Sequence, residues 1–426
     1  MAPNSIGAQV TAIVLAVVIA VDTALVWHRV RAWWGWVVRS VALFLCAATA
    51  LAAAGIWANR QLNLFTTWSE VAGHRPVAPV TGQTTVDQEL PSGSRIVSFT
   101  VPGPHSGISL AAKAYLPPGY DSPTGRRTHY PVIEALAGFP GTPNLWVVSL
   151  HAGDVLDQEI AAGRMAPAVV VFPLQDFDQT TDSECVDANG GARFDTYLTR
   201  DVRAAVTAQF RVRADRAAWG IIGASTGGFC ATNLAMRHPD MFGAAASLSG
   251  YFTAITDRTT GDLYRGDQKL KNENSPLWRL KTLPVPALPI FLSVAADDRN
   301  GYQQLQDFQA AARPPMRLTT MVVSSGGHTG AVWRTVLPAA FDWFAGWLAA
   351  PVTSPAAGPV KPIPTHGRVR EGLYPNCEPG SESGPGCPAK PPGVRPGPSG
   401  RLGGTTAKIR PSPVSLRKNG PDPRPQ

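Results

Sequence analysis

A chain of 426 residues with a net charge of +8 has room for two or three domains and, at a pI near 9.4, the charge balance of a polyanion binder. The distribution of that charge excludes a basic nucleic-acid face: residues 351–426 hold eleven Lys and Arg against four Asp and Glu, so seven of the eight net charges lie there with one aromatic side chain, Tyr374. The five cysteines and eight histidines show no metal-ligand spacing, and no strand-like run leads into a phosphate-cradling glycine loop, so no metal and no cofactor are expected.

In chain order, the first elements are two apolar runs, at about residues 6–27 and 40–58, each long enough to cross a bilayer as a helix. Between them lie His28, Arg29, Arg31 and Arg39 with Trp33, Trp34 and Trp36. Positive charge between two spans predicts a cytoplasmic loop, with the N-terminus and everything after the second span on the outside of the cell membrane. A signal sequence cut near residues 48–50 or 52–54 is the alternative; the first run lacks the preceding basic residues of a signal peptide. Residues 1–61 therefore read as a membrane anchor and 62–94 as a linker. Asp22 interrupts the first span, and Cys46 fits the second as a small apolar residue.

From residue 95 to 350 strand and helix patterns alternate. Residues 96–101 and 109–115 predict opening antiparallel strands, and 130–136, 168–172, 217–222, 244–247, 290–294 and 319–323 predict the remaining strands. Helices are expected over 146–159, 194–209, 228–237, 302–312 and 331–348. This alternation implies an α/β fold with a mostly parallel sheet covered by helices on both faces. The polar stretch 253–283 breaks the pattern and is the expected cap over a substrate. Residues 351–426, rich in Pro and Gly, predict a disordered tail whose basic groups either contact anionic envelope polymers or lipids or are simply solvated; Cys377 and Cys387 could close a small loop in it.

One junction carries chemistry. The strand 217–222 runs into Gly223-Ala224-Ser225-Thr226-Gly227, a Gly-x-Ser-x-Gly turn followed by helix-forming sequence. Such a strand–turn–helix junction exposes the serine hydroxyl on a strained backbone and needs small neighbours, which makes Ser225 the candidate nucleophile. In that architecture an acid and then a histidine follow the serine. Five histidines precede Ser225, His238 lies on the following helix and His366 in the tail, which leaves His328 after Gly326 and Gly327. The strand 290–294 ends at Asp297 and Asp298; Asp298 is the favoured acid, Asp297 the alternative, the other reading of Asp297 being a cap for the next helix. The strand 130–136 opens into Ala137-Gly138-Phe139-Pro140-Gly141, so the Phe139 and Thr226 N–H groups are the candidate oxyanion donors. Trp146, Phe229 and Tyr251, together with Phe139, are candidates for the acyl pocket, or else ordinary core. Cys185 and Cys230 either pair, pinning a loop to the helix after Ser225, or stay as free buried thiols.

The segments Ala114-Tyr115-Leu116-Pro117-Pro118-Gly119-Tyr120, Ala137-Gly138-Phe139-Pro140-Gly141, Gly223-Ala224-Ser225-Thr226-Gly227-Gly228, Ser247-Leu248-Ser249-Gly250-Tyr251-Phe252 and Gly326-Gly327-His328 resemble the esterase family that includes esterase D and the antigen 85 mycolyltransferases. The resemblance spans roughly residues 95–350. It implies an α/β-hydrolase fold, with Ser225, Asp298 and His328 on the triad positions, Phe139 and Thr226 on the oxyanion positions, and acyl transfer to water or to an alcohol. Ala137 departs from the polar residue common in the first oxyanion turn. Thr226 and Asp298 differ from the Met and Glu of the mycolyltransferases. Three functions follow as expectations: an extracytoplasmic carboxylic ester hydrolase, an acyltransferase moving an acyl chain onto a sugar or glycolipid hydroxyl, or an inactive hydrolase fold that binds the envelope.

Overall fold

The computed structural model describes residues 1–27, 33–62, 65, 67–72 and 83–355. Two helices open the chain, α1 (Ile6–Val26) and α2 (Gly35–Leu62). With 21 residues, α1 is about 31 Å long, the thickness of a bilayer's hydrocarbon core. Its Val10, Leu15, Val18 and Leu25, like Leu43, Phe44 and Leu51 of α2, are exposed, a surface that water would penalise and lipid would not. The helices run antiparallel: Thr23 Oγ1 lies 3.3 Å from Cys46 Sγ, and Arg60 donates to Gln9 Oε1 at 2.7 Å. By length and composition the pair fits a membrane anchor or a signal sequence. Asp22 is exposed rather than turned toward the second helix. Arg39 stacks over the Trp27 ring and donates to its carbonyl; His28, Arg29 and Arg31 of the basic loop lie outside the described residues. A short helix, α3 (Trp68–Val71), follows.

The strands are β1 (Thr85–Glu89), β2 (Arg95–Val101), β3 (Leu110–Leu116), β4 (Thr128–His129), β5 (Val132–Leu136), β6 (Val169–Pro173), β7 (Trp219–Ala224), β8 (Ala244–Leu248), β9 (Pro289–Ala295), β10 (Arg317–Val323) and β11 (Val352–Thr353). Nine of them form one sheet in the order β1-β2-β3-β6-β5-β7-β8-β9-β10, antiparallel from β1 to β6 and parallel from β6 to β10. Strands β5 to β9 are buried along their whole length, which explains why their sequences are mostly apolar; the edge strand β10 is only partly covered. The helices α5 (Phe194–Thr196), α6 (Arg203–Gln209), α7 (Thr226–Arg237) and α10 (Arg299–Ala311) cover one face, where Phe194, Val206, Phe229 and Phe308 pack on Leu136 and Ile221. On the other face α4 (Ala152–Ala161) and α11 (Gly330–Ala345) set Leu156 and Phe341 against Ile133 and Ile222.

The register decides where loops emerge. Leu136 pairs with Gly223, Ala224 with Leu248, Leu248 with Ser293, and Val323 with Ala295, so the carboxyl ends of β5, β7, β8, β9 and β10 lie side by side. The Ser225 turn, the Asp297–Asp298 pair, the His328 loop and the 137–141 turn all leave the sheet at this edge, where open α/β sheets place their ligands.

Several expectations are corrected. Strand β1 falls inside the stretch read as linker, and β11, read as tail, pairs with β4. The helix expected over 146–159 is broken: a wide turn over Leu145–Ser149 and α4 are separated by His151 at φ 52°. The stretch 253–283, expected as a cap, holds two short helices, α8 (Gln268–Glu273) and α9 (Pro276–Thr282). The rest of the tail, with His366, Cys377 and Cys387, lies outside the described residues.

Candidate active site

Ser225 sits between β7 and α7 at φ 55° and ψ −121°, a conformation that L-residues rarely adopt and that surrounding structure must enforce. Its N–H donates to Leu248 O at 2.8 Å, and its carbonyl accepts from Gly228 and Phe229. The glycines are needed for close approach: a Cβ on Gly223 would stand 1.9 Å from Gly227 O, and one on Gly227 would stand 2.3 Å from Leu136 O.

His328 Nε2 lies 2.8 Å from Ser225 Oγ, and its Nδ1 lies 2.8 Å from Asp298 Oδ2. The ring also meets Trp333 edge-on, with centroids 5.4 Å apart, and Trp333 Nε1 donates to Ser249 Oγ. The aspartate facing His328 is the favoured Asp298, whereas the reading of Asp297 as a helix cap is corrected. Asp298 is the one that caps the next helix, its Oδ1 accepting from Gly301 N at 3.1 Å while Oδ2 faces the histidine. Asp297 caps nothing. It accepts from Gly326 N at 3.0 Å and Gly327 N at 2.8 Å, fastening the loop that carries His328, and these two N–H groups hold its carboxyl below the usual carboxylate range. Gly326 and Gly327 take φ 129° and 61°, so the loop needs glycine at both positions.

The turn after β5 lies directly against the serine: a Cβ on Gly138 would stand 3.0 Å from Ser225 Cβ. Phe139, joined to Pro140 by a cis peptide bond, is half-buried. The Phe139 and Thr226 N–H groups donate to no acceptor among the described residues. Thr226 opens a twelve-residue helix, whose first N–H groups have no intrahelical partner and carry the positive end of the dipole.

Of the expected pocket residues, Trp146 and Phe229 are fully buried, Trp146 against Phe172 and Phe229 stacked on Tyr251 at 4.7 Å, so both lie within the core. Tyr251 is partly exposed and donates its hydroxyl to Glu184 Oε1 at 2.8 Å. Cys185 and Cys230 are joined by a disulfide across 45 residues. Sequence reasoning missed the groups beside it. Asp182 and Glu184 are both buried, and burial pushes both carboxyls upward. Asp182 Oδ2 accepts from Thr226 Oγ1 at 3.2 Å, and Glu184 accepts from Tyr251, Tyr264 and Ile255 N. Among the described residues no group of three or more His, Cys, Asp or Glu is placed to hold a metal.

A family model described as "Putative esterase" matches residues 107–344, more than half of the chain and all of the groups just described from Gly138 to His328. The chain belongs to this Esterase family. An uncharacterized protein of Corynebacterium glutamicum is 27% identical over 244 residues, 55% of this chain and 56% of that protein. An endo-1,4-beta-xylanase/feruloyl esterase of Xylanibacter ruminicola is 28% identical over 148 residues, 34% of this chain and 20% of that protein. The chain thus spans about half or less of the length of these curated relatives. Among solved structures, a ferulic acid esterase superposes with a TM-score of 0.52 at 22% identity, covering 60% of this chain and 99% of that one. An S-formylglutathione hydrolase from Agrobacterium tumefaciens superposes with 0.52 at 16% identity, covering 62% and 99%. Both share the α/β-hydrolase fold.

Proposed function

We propose that this esterase-family chain is a membrane-anchored serine hydrolase that cleaves carboxylic esters through Ser225, His328 and Asp298. The observation that carries the reading is the continuous line Asp298–His328–Ser225, with 2.8 Å at each step and the nucleophile on a strained elbow. His328 Nε2 takes the Ser225 proton as Oγ attacks the ester carbonyl; Asp298 keeps the Nδ1 proton in place and stabilises the imidazolium. The oxygen anion of the tetrahedral adduct lies between the Phe139 and Thr226 N–H groups, which no acceptor among the described residues holds. As the adduct collapses the alkoxide leaves with the proton from His328, and an acyl group remains on Ser225. A water deprotonated by His328 then releases the acid and restores the serine. The stretch 253–283 is joined to Glu184 through Ile255 N and the Tyr264 hydroxyl, and on this reading it is the cap over the substrate.

Labelling by a fluorophosphonate, which reacts with activated serines, tests the reading. The full-length chain in detergent is expected to be labelled, and Ser225→Ala and His328→Ala are expected to lose the label while staying folded. An unlabelled, folded wild type would refute it and favour an envelope-binding protein.

The catalytic domain belongs outside the cytoplasm on this reading. Support comes from the basic loop between the spans and from the Cys185–Cys230 disulfide, a bond that persists in oxidising compartments. An alkaline phosphatase fused after residue 355 is expected to be active in bacterial cells, and a green fluorescent protein fused there to be dark; the reverse pattern would place the domain inside.

A further inference from the structure

One stretch of chain touches both segments that carry the oxyanion donors. After β6 the chain does not enter a helix but runs as a strap, residues 174–187, across the carboxyl edge of the sheet. At its start Gln175, buried, donates Nε2 to Ala137 O at 2.6 Å. That carbonyl belongs to the peptide just before the Gly138–Phe139 peptide, whose N–H is the first candidate donor, so holding it anchors one side of Gly138 and leaves only that residue's φ and ψ between the anchor and the donor. The Ala137 side chain is a methyl group and offers no polar brace of its own. The same carbonyl lies at the seam with α7, where a Cβ on Gly227 would stand 2.4 Å away. Seven residues on, Asp182 Oδ2 accepts from the hydroxyl of Thr226, the second candidate donor residue.

The strap is itself over-determined. Ser183 Oγ donates to Gln175 O at 2.6 Å, Ser183 N to Asp176 Oδ1 at 2.7 Å, and Glu184 N to Asp182 Oδ1 at 2.8 Å. Glu184 and Cys185 both hold positive φ, 43° and 54°, at consecutive non-glycine positions, a strained arrangement that such contacts must enforce. The disulfide from Cys185 to Cys230 ties the far end of the strap to α7, one turn past Ser225, and Glu184 ties it to Tyr251 and Tyr264.

We infer that the strap is the brace of the oxyanion hole, with Gln175 and Asp182 as positioning residues, one for each donor segment. The inference rests on the reading of Phe139 and Thr226 as donors to an ester-derived oxyanion. Gln175 and Asp182 are buried and reach the donor segments through Ala137 O and Thr226 Oγ1; they act by keeping two main-chain N–H groups aimed at one point, where small displacements are costly because hydrogen bonds to a developing charge are directional.

The test uses the full chain in detergent, a chromogenic ester, and an alkyl boronic acid, which forms a tetrahedral anionic adduct with the serine. Gln175→Met keeps the length and loses the donor; it is expected to lower kcat about tenfold, a fraction of the cost of deleting a donor outright. KM should stay within about twofold, and the boronate inhibition constant should rise by the same factor as kcat falls, since both report the oxyanion. Asp182→Ala is expected to behave in the same way, and Asp182→Asn, which keeps polar atoms opposite Thr226 Oγ1 and Glu184 N, to recover most of the loss. A merely structural role would lower the melting temperature or raise KM and leave boronate affinity unlinked to kcat, and that result overturns the inference. So does wild-type kcat in both Gln175→Met and Asp182→Ala. If Gln175→Met does not fold, the Asp182 pair decides. A wild type that hydrolyses no ester and takes no fluorophosphonate overturns the inference together with the proposed function, whereas an active wild type with fully active strap variants overturns the inference alone.

Discussion

Ser225→Ala is expected to lower kcat/KM for a carboxylic ester by about 10⁴- to 10⁶-fold, and His328→Ala by a similar factor. Without Oγ there is no nucleophile to form the acyl-enzyme; without the imidazole at 2.8 Å the hydroxyl stays protonated and is a poor one. The double variant should be no slower than either single one, because the two groups act as a unit and each loss already disables the other. Asp298→Asn is expected to cost somewhat less, about 10³- to 10⁴-fold, since the histidine is still present but in the wrong tautomer. Asp298 also caps α10, so its variant needs a melting curve beside the rate. Steady-state kinetics on the purified chain, at concentrations set by absorbance, measure all four. A Ser225→Ala protein within tenfold of wild type would assign the hydrolysis to another group and end the triad reading.

The residues of that line were legible in the sequence because each sits at the end of a strand, where short-range pattern and chemistry coincide. Gly223 and Gly227 mark the elbow, and their necessity is visible in the carbonyls that a Cβ would strike. His328 follows from chain order, once the other histidines are placed. The parallel strands were legible for the same reason, since strands buried on both faces leave long apolar runs.

What was not legible depends on contacts between distant segments. The division of labour between Asp297 and Asp298 turns on which carboxylate the Gly326–Gly327 loop meets, thirty residues away, and both aspartates look alike as helix starters. Gln175 and Asp182 carry no motif; their importance appears when β6 is found beside β5 and the strap is found lying on α7. Trp146 and Phe229 read as pocket or core with equal ease, because aromatic residues near a sheet edge serve either purpose, and here the layer they belong to makes them core. Strand β1 is short and polar, Thr85 to Glu89, exposed throughout, and without the apolar alternation that marks a strand.

The largest stability effect is expected at Glu134. It lies in the middle of β5, fully buried, with no hydrogen-bond partner for either carboxyl oxygen among the described residues, near a Tyr197 hydroxyl that likewise has none there. Burial pushes its carboxyl up to about 8 from 4.5, and the Arg203 guanidinium offsets only part of that rise. Arg203 itself is spent on the Trp219 ring, 4.2 Å away, and on the carbonyls of Met241 and Ala214. A group whose folded value is raised holds its proton in the native state while the unfolded chain releases it. Its stabilising contribution is therefore complete below about pH 4.5 and is lost as pH rises toward 8. Integrated from pH 5 to pH 8 the loss is of the order of 3 to 4 kcal/mol. Asp182 and Glu184, raised by the same cause, add to the slope, while the depressed carboxyls of Asp121, Asp195, Asp201 and Asp257 lose their contributions only below about pH 4, outside this window. Glu134→Gln keeps the shape and cannot ionise, so its melting temperature should fall by several degrees less than that of wild type between pH 5 and pH 8. Parallel melting curves for the two proteins across that range would mean that Glu134 has found a charge partner or water that the apolar layer around it does not provide, and its raised carboxyl would then have to be abandoned. The rate should respond differently: the oxyanion turn begins directly after Leu136 at the end of β5, yet Glu134 lies beside Arg203 and Tyr197 in the α6 layer, so kcat at pH 7 is expected to stay within about twofold of wild type while the stability profile changes.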